Sequence, residues 1–350
     1  MVDYQNPVVQ EDLRQMIASE LPWKSLQGKT ILVTGATGML ATYITWVLGY
    51  LRNNCYIDMN VIALCRNEDK ANERFEVFSG SNFFSLMIQD VCSPISEDAD
   101  IDYIFHLAGN ASPYYIKTDP VGIARTNLEG TINVLELARE KSAKVIFAST
   151  REVYGKNEDA KLLDESLFGS MDTMDDRSCY PESKRASETL LRSYWLQYGV
   201  ETYSVRIAHS YGPTMNLKDD GRVMSDLLGD AIQGRDIVLK STGEAERAFI
   251  YITDAVLGMF TVLFNGEAGR AYNLSNEEAP IAIRELAGMI IKSLGNSGQK
   301  VVLDIPEEKD RSYCAFKRVG LDTTALRALG WRPKVGLEDG IRRVITSVKC

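Results

Sequence analysis

Tyr180 and Lys184 stand four residues apart in "SCYPESKRASE", a spacing that sets two side chains on one face of a helix. A phenol is a poor base near neutrality, because its ordinary pKa is about 10. A neighbouring ammonium and the positive nicotinamide of an oxidised dinucleotide both favour the phenolate. It can then take a proton from an alcohol as hydride leaves. Thr150, closing the apolar run "KVIFAST", can share a hydrogen bond with a substrate hydroxyl. The three are the parts of an alcohol–ketone interconversion. Tyr-x-x-x-Lys recurs by chance, however, so the reading depends on whether the chain upstream holds a cofactor.

"TGATGMLA", Thr34 to Ala41, lies between a short β-branched run and an apolar helical pattern. Gly35 permits a tight turn there, and Gly38 lets backbone approach a pyrophosphate at the helix N-terminus. Thr37 and Met39 complete the expected cofactor loop. At the end of the second apolar run an acidic residue would bind a ribose 2'-hydroxyl, whereas an arginine can accept a 2'-phosphate. The chain has Cys65 then Arg66, with no carboxylate before Glu68. Arg66 leans toward NADP, but as a guanidinium stacked on adenine it would suit NAD equally. Asp90 and Val91 are expected to flank the adenine, and Leu107, Ala108 and Gly109 the nicotinamide ribose.

Positioning these residues requires alternating elements, and the pattern supplies them. "KTILVTGA", "MNVIALCRN", "FFSLMIQDV", "DYIFHLAG", "KVIFAST" and "TYSVRIAHSYG" read as strands; residues 39–53, 120–142 and 180–199 read as helices. Continuous apolar strands between helices predict an α/β domain, a doubly wound parallel sheet covered on both faces, over residues 28–210. Residues 211–350 carry shorter, charge-rich elements, read as a smaller substrate-binding region with part of the chain returning to the sheet. Residues 1–27 read as a helical extension: Val9, Leu13, Met16, Ile17 and Leu21 follow helical spacing, for packing on the body or on a second subunit.

Bulk properties narrow the function. The 350 residues are 45% hydrophobic and 25% charged, and the net charge of -9 argues against nucleic acid or an anionic membrane as partner. No apolar stretch approaches membrane-spanning length, and the N-terminus lacks the pattern of a secretory signal. Six cysteines without a C-x-x-C pair, beside two histidines, predict no metal site and suit a reducing cytoplasm. His106 reads as a hydrogen-bonded scaffold residue, and "MDTMDDR" as a solvated loop.

Residues 29–345 resemble the extended short-chain dehydrogenase/reductases that act on nucleotide-sugars, and most of all the UDP-glucuronate decarboxylases (UDP-xylose synthases). The stretches that carry the resemblance are "HLAGNASP", "TNLEGTINVLELA", "ASTREVYG", "YPESKRASETL", "RIAHSYGPTM", "DDGRV", "ERAFIYITDAV" and "LGWRPKVGLEDGI". It implies a hydroxyl-activating triad of Thr150, Tyr180 and Lys184, with Glu152 beside the sugar ring in acid/base chemistry. It also implies Arg247 near the substrate's phosphates and carboxylate, Arg222 of the "DGRV" segment and Ser112 on the substrate side, and a nucleotide-diphosphate sugar as partner. The implied reaction oxidises C4, loses carbon dioxide from the β-keto acid so formed, and returns the hydride. Such a redox-neutral cycle leans toward NAD.

Departures cluster around the sugar. Arg151 stands where those decarboxylases carry serine, and reads either as a contact to an anionic substrate or as a solvated strand-end charge; His209 stands where asparagine is expected and reads as a sugar contact. Tyr114 and Tyr115 fall upstream of an expected tyrosine. The same machinery would serve a 4-epimerase, a 3,5-epimerase or an NADPH-dependent 4-ketoreductase, and a non-catalytic cofactor-sensing regulator is the reading from another class. In similar proteins, helices corresponding to 119–142 and 180–198 form a homodimer contact, and a homodimer is expected here.

Overall fold

Ile31, Leu32 and Val33 are wholly buried, as are Val145, Ile146 and Phe147. Strands closed off on both faces in this way belong in the middle of a parallel sheet with helices on either side. The computed structural model, which describes residues 2–157, 160–218, 220–295, 298–305 and 320–349, has that sheet. Its strands are β1 (Lys29–Thr34), β2 (Met59–Cys65), β3 (Phe84–Ile88), β4 (Tyr103–His106), β5 (Lys144–Thr150), β6 (Thr202–Ile207) and β7 (Arg270–Leu274). They run in the order β3-β2-β1-β4-β5-β6-β7, every pair parallel. The order reverses between β1 and β4, which opens a crevice at their C-terminal ends, the place where such sheets bind ligands. Thr34 is in register with His106 there.

Helices α2 (Met39–Asn54), α5 (Pro120–Lys141) and α6 (Cys179–Tyr198) cross between strands, and α5 lies along α6. A short helix, α3 (Glu68–Phe75), follows β2, and another, α4 (Pro113–Thr118), precedes α5. After β6 the chain forms α7 (Val223–Ile232) and α8 (Ile252–Asn265) before β7, then α9 (Ile283–Ser293), α10 (Thr324–Ala328) and α11 (Leu337–Lys349). Helix α8 is apolar nearly all round because it is buried nearly all round. Among the described residues no helix is long and apolar enough to cross a membrane. Cys55, Cys65, Cys92 and Cys179 are free thiols, while Cys314 and Cys350 lie outside the described residues.

Of the two expected docking surfaces for the N-terminal helix, the structure uses the body of its own chain. Helix α1 (Pro7–Ile17) starts at Asn6, whose Oδ1 accepts from the Val8 N–H at 3.1 Å. It buries Val9, Leu13 and Met16 completely or nearly so. A carboxylate on the same face anchors it. Asp12, wholly buried, accepts from the Tyr43 hydroxyl (3.0 Å, α2), the Tyr251 hydroxyl (2.7 Å) and Arg343 Nη1 (2.7 Å, α11). Replacing Asp12 with alanine would leave two buried hydroxyls without their acceptor and Arg343 with only Asp339 and Gln15. Removing one partner of a buried pair typically costs about 3–5 kcal/mol. Asp12→Ala is therefore expected to lower the urea unfolding midpoint strongly, and a Leu13 variant with unchanged Asp12 should separate this charge effect from loss of packing.

Candidate active site

The crevice is built around glycines that the backbone requires. Gly35, directly after β1, has φ +63°, and a Cβ on it would lie 2.8 Å from the Ala108 Cα. Gly38 caps the start of α2 and donates its N–H to the Gly35 carbonyl at 2.8 Å. Thr37 completes that turn and Met39 opens the helix, so the unpaired N–H groups of its first turn border the crevice. Across it, the Thr34 hydroxyl accepts from the N–H groups of Leu107 and Ala108, each at 3.2 Å. Its proton therefore goes to His106 Nδ1 at 2.8 Å, which leaves Nε2 to donate to Thr131 Oγ1 at 3.1 Å. Burial, with a smaller effect from Lys184, pushes His106 down to about 3, so it stays neutral. His106 is scaffold, as its surroundings in the sequence suggested.

At the far rim, Arg66 Nη1 pairs with Asp90 Oδ2 at 3.4 Å, and Asp90 Oδ1 accepts the Cys92 N–H at 2.9 Å. Burial raises the Asp90 carboxyl, yet the Cys92 hydrogen bonds and Arg66 leave it below the usual carboxylate range. Val91 is buried against Gly130 of α5, where any Cβ would collide with it.

A dinucleotide fits this crevice on two observations. A Cβ on Gly109 would lie 2.9 Å from Asn127 Oδ1 and 3.3 Å from Lys184 Nζ, so only glycine keeps that cradle open. Asn127 Oδ1 is itself a buried acceptor with no partner among the described residues. A ribose hydroxyl is the kind of donor such an acceptor lacks. Asn127 lies in the stretch "TNLEGTINVLELA", which by itself assigns it no role; its contact with Ser183 (Nδ2 to Oγ, 2.8 Å) and its proximity to Gly109 single it out.

The expected reacting groups converge at the end of β5. Thr150 Oγ1 accepts the Glu152 N–H at 3.2 Å, which starts a tight turn over Arg151–Tyr154. Tyr180, in the first turn of α6, is buried and hydrogen-bonded to the Thr150 side chain. Burial, and then the charge of Glu152, push its phenol well above the ordinary value; the Thr150 hydrogen bond and the guanidiniums of Arg222 and Arg177 act the other way. Lys184, one turn on, donates to the Ala148 carbonyl at 2.8 Å and lies 4.4 Å over the Phe147 ring. Burial lowers it to about 7, partly offset by Glu188. Glu188, a further turn along, pairs with Arg206 at 2.7 Å and accepts from Ser149 Oγ at 2.5 Å, tying α6 to β5 and β6.

The expected substrate residues fall into two groups. Ser112 donates to the Asp220 carbonyl at 2.6 Å, and the Asp220 carboxylate pairs with Arg222 at the start of α7. Arg151, His209 and Arg247 line one small cavity together with Ala208, Glu246 and Glu277. His209 takes the left-handed backbone (φ +37°) and is tilted against Phe249. Burial, and then Arg151 and Arg247, push it down to about 3, so it faces the two guanidiniums as a neutral ring. Tyr114 and Tyr115 are largely exposed. Arg177 was not foreseen: it belongs to the acidic loop read as solvated, yet its Nη2 lies 3.5 Å from Glu152 Oε2. Among the described residues no cluster of histidine, cysteine and carboxylates could hold a metal.

A doubly wound sheet, a glycine turn at its order reversal and a tyrosine–lysine helix opposite define a nicotinamide-dinucleotide-dependent class of enzyme. The sequence match agrees. The model of the NAD dependent epimerase/dehydratase family covers residues 31–275, and the chain belongs to that family. It is 32% identical over 319 residues to UDP-glucuronic acid decarboxylase 1 of Xenopus tropicalis, covering 91% of this chain and 71% of that one. To UDP-glucuronic acid decarboxylase 6 of Arabidopsis thaliana it is 32% identical over 313 residues, 89% of this chain and 86% of the other. Among solved structures, UDP-glucose 4-epimerase of Thermotoga maritima with UDP-glucose aligns with a TM-score of 0.76 at 23% identity, over 91% of this chain and 98% of that one. UDP-glucuronic acid 4-epimerase of Bacillus cereus in complex with NAD aligns at 0.74 and 20%, over 91% and 96%. At such identities the structures speak for the fold.

Proposed function

We propose that the chain decarboxylates a UDP-glucuronate-like nucleotide-sugar through a 4-keto intermediate. The observation that carries this reading is the meeting of Thr150, Glu152 and Tyr180 at the end of β5, a hydroxyl pair for C4 with a carboxylate beside it. The likeness to curated decarboxylases over nine-tenths of the chain supports it. A bound nicotinamide would accept the C4 hydride and return it. Gly35, Gly38, Lys184 and Asn127 would hold that cofactor, with Asp90 and Val91 at its adenine end.

Tyr180 takes the C4 hydroxyl proton, and Thr150 orients the oxygen from which it leaves. With C4 a ketone, the C6 carboxylate is β to a carbonyl and departs as carbon dioxide. The electron pair of the broken bond passes into an enolate, Glu152 is placed for the proton transfer at C5, and Tyr180 returns its proton to O4 as C4 is reduced. Arg222 and Ser112 lie beside the reacting groups, while Arg151 and Arg247 would offer guanidiniums to the diphosphate or carboxylate from a cavity they share with neutral His209, Glu246 and Glu277. The chain after Tyr211 thus supplies Arg222 and Arg247 to the sugar-nucleotide side, and the chain before it Ser112, Arg151 and His209. A redox-neutral cycle suits a retained NAD; Arg66, already paired with Asp90, keeps NADP as the second cofactor to test. Exposed Val121, Leu196 and Tyr198 on α5 and α6 support a homodimer through those helices.

A second reading is 4-epimerisation, which would use the same Tyr180 and Lys184. Mass spectrometry separates the two. Purified protein is incubated with UDP-glucuronate and other nucleotide-sugars, each with NAD+ or NADP+. A product lighter by one carbon dioxide is expected. An isomer of unchanged mass, resolved by chromatography, would replace decarboxylation with epimerisation, and a gain of two hydrogens would point to reduction.

A further inference from the structure

The loop before α6 is more ordered than its composition suggests. Asp172 and Asp175 form side-chain turns, accepting from the Met174 and Arg177 N–H groups, each at 2.9 Å. Ser178 Oγ donates to the Asp172 carbonyl at 2.5 Å, and the Arg177 carbonyl accepts the Tyr180 N–H at 3.2 Å. Arg177 is thus built into the start of the helix that carries Tyr180 and Lys184. Its side chain turns toward β5, where Nη2 comes within 3.5 Å of Glu152 Oε2; the guanidinium is about one-quarter exposed and the carboxylate about two-fifths.

We propose that Arg177 is a positioning residue for the candidate reaction, holding the Glu152 carboxylate in place beside Tyr180 and offsetting its negative charge there. The charges that face the phenol oppose one another. Glu152, from the turn after β5, disfavours the phenolate; Arg222, from the start of α7, and Arg177, from the loop before α6, favour it, together with the Thr150 hydroxyl. Arg222 already pairs with Asp220. Arg177 therefore compensates the one carboxylate that acts most on Tyr180, and it does so at ion-pair range in a half-buried setting, where screening is weaker than at the surface. Decarboxylation asks both things of Glu152: it must stay beside the ring for proton transfer, and it must not keep Tyr180 protonated. A single guanidinium between loop and strand end meets both demands.

This role rests on the proposed reaction, so the test uses one readout that depends on turnover and one that does not. In NAD+-loaded protein, the tyrosinate absorbance of wild type minus that of Tyr180→Phe isolates the Tyr180 titration. Arg177→Gln, referenced to its own Tyr180→Phe double variant, should titrate higher by about one pH unit, a tenfold change in the phenolate fraction. In a Glu152→Gln background, Arg177→Gln should produce a smaller shift, because only the direct effect of the guanidinium on the phenol is then lost, and Arg177→Lys should restore most of the wild-type titration. With UDP-glucuronate, the acid limb of kcat should move in the same direction by a similar amount while KM changes little. An unchanged titration in folded Arg177→Gln overturns the proposal, as does a shift equally large without the Glu152 charge. If wild type turns over no UDP-glucuronate, the decarboxylase reading fails, and the titration still decides the role of Arg177.

Discussion

Tyr180→Phe should lower kcat about a thousandfold while leaving KM and thermal stability nearly unchanged. General acid–base groups typically contribute about 10²–10⁴ in rate, and Tyr180 is the only hydroxyl acid among the reacting groups whose proton can be made labile by neighbouring charge. In the ligand-free structure, burial and Glu152 hold the phenol protonated. The cations that act most on it are Arg222 and Arg177, while the Lys184 ammonium is directed at the Ala148 carbonyl. Activation therefore waits for the loaded site, where a positive nicotinamide adds to those two guanidiniums. The sign follows: the reactive form is the phenolate, so kcat should rise with pH up to the pKa of the loaded enzyme and then level. Phenylalanine fills the same space and removes one hydrogen bond to Thr150, worth about 1 kcal/mol. Stopped-flow absorbance of the reduced nicotinamide checks the prediction. A normal first hydride transfer in Tyr180→Phe would remove Tyr180 from the chemistry.

The candidate reacting groups are legible because each depends on short-range pattern. Strands buried on both faces must be continuously apolar, so Ile31–Val33 and Val145–Phe147 announced themselves. The glycine turn and the Tyr180–Lys184 spacing are local, and the backbone at Gly35 needs a residue that accepts positive φ. What the sequence hid depends on distance along the chain. Arg177 reads as one charge among several in a polar loop, and its meaning comes from Glu152, which reaches it only once β5 and α6 are side by side. Asp12 reads as an ordinary helix charge, yet its partners are Tyr43 and Arg343 from two other helices and Tyr251 from the short strand before α8. The strand Arg270–Leu274 is hard to see for another reason. It is short, and half its pattern answers to particular partners: Asn273 accepts the Tyr154 hydroxyl at 2.7 Å and donates to the Leu163 and Asp322 carbonyls.

Lys184→Met should abolish most activity, by at least a hundredfold, and at the same time stabilise the cofactor-free protein. Both effects have one cause. The Lys184 ammonium is buried, with a carbonyl and an aromatic face for company, and burial brings it down to about 7 from 10.5. Between those values the unfolded chain holds a proton that the folded chain has released, so stability rises with pH across the window from about 7 to 10.5. Below about 7 the folded protein carries the buried charge at full cost. Methionine keeps the stem and drops the charge, so the variant should gain roughly 2 kcal/mol at pH 6, and the gain should shrink as pH climbs toward 10. Glu188 is not orphaned by the change, because Arg206 and Ser149 still hold it. Urea unfolding of the two cofactor-free proteins across that range is the measurement. A constant difference would mean that the ammonium is hydrated in the free protein. A difference that closes with pH would mean that the site keeps a charge unsatisfied until a cofactor arrives, stability given up in the free protein for a lysine already in place to bind.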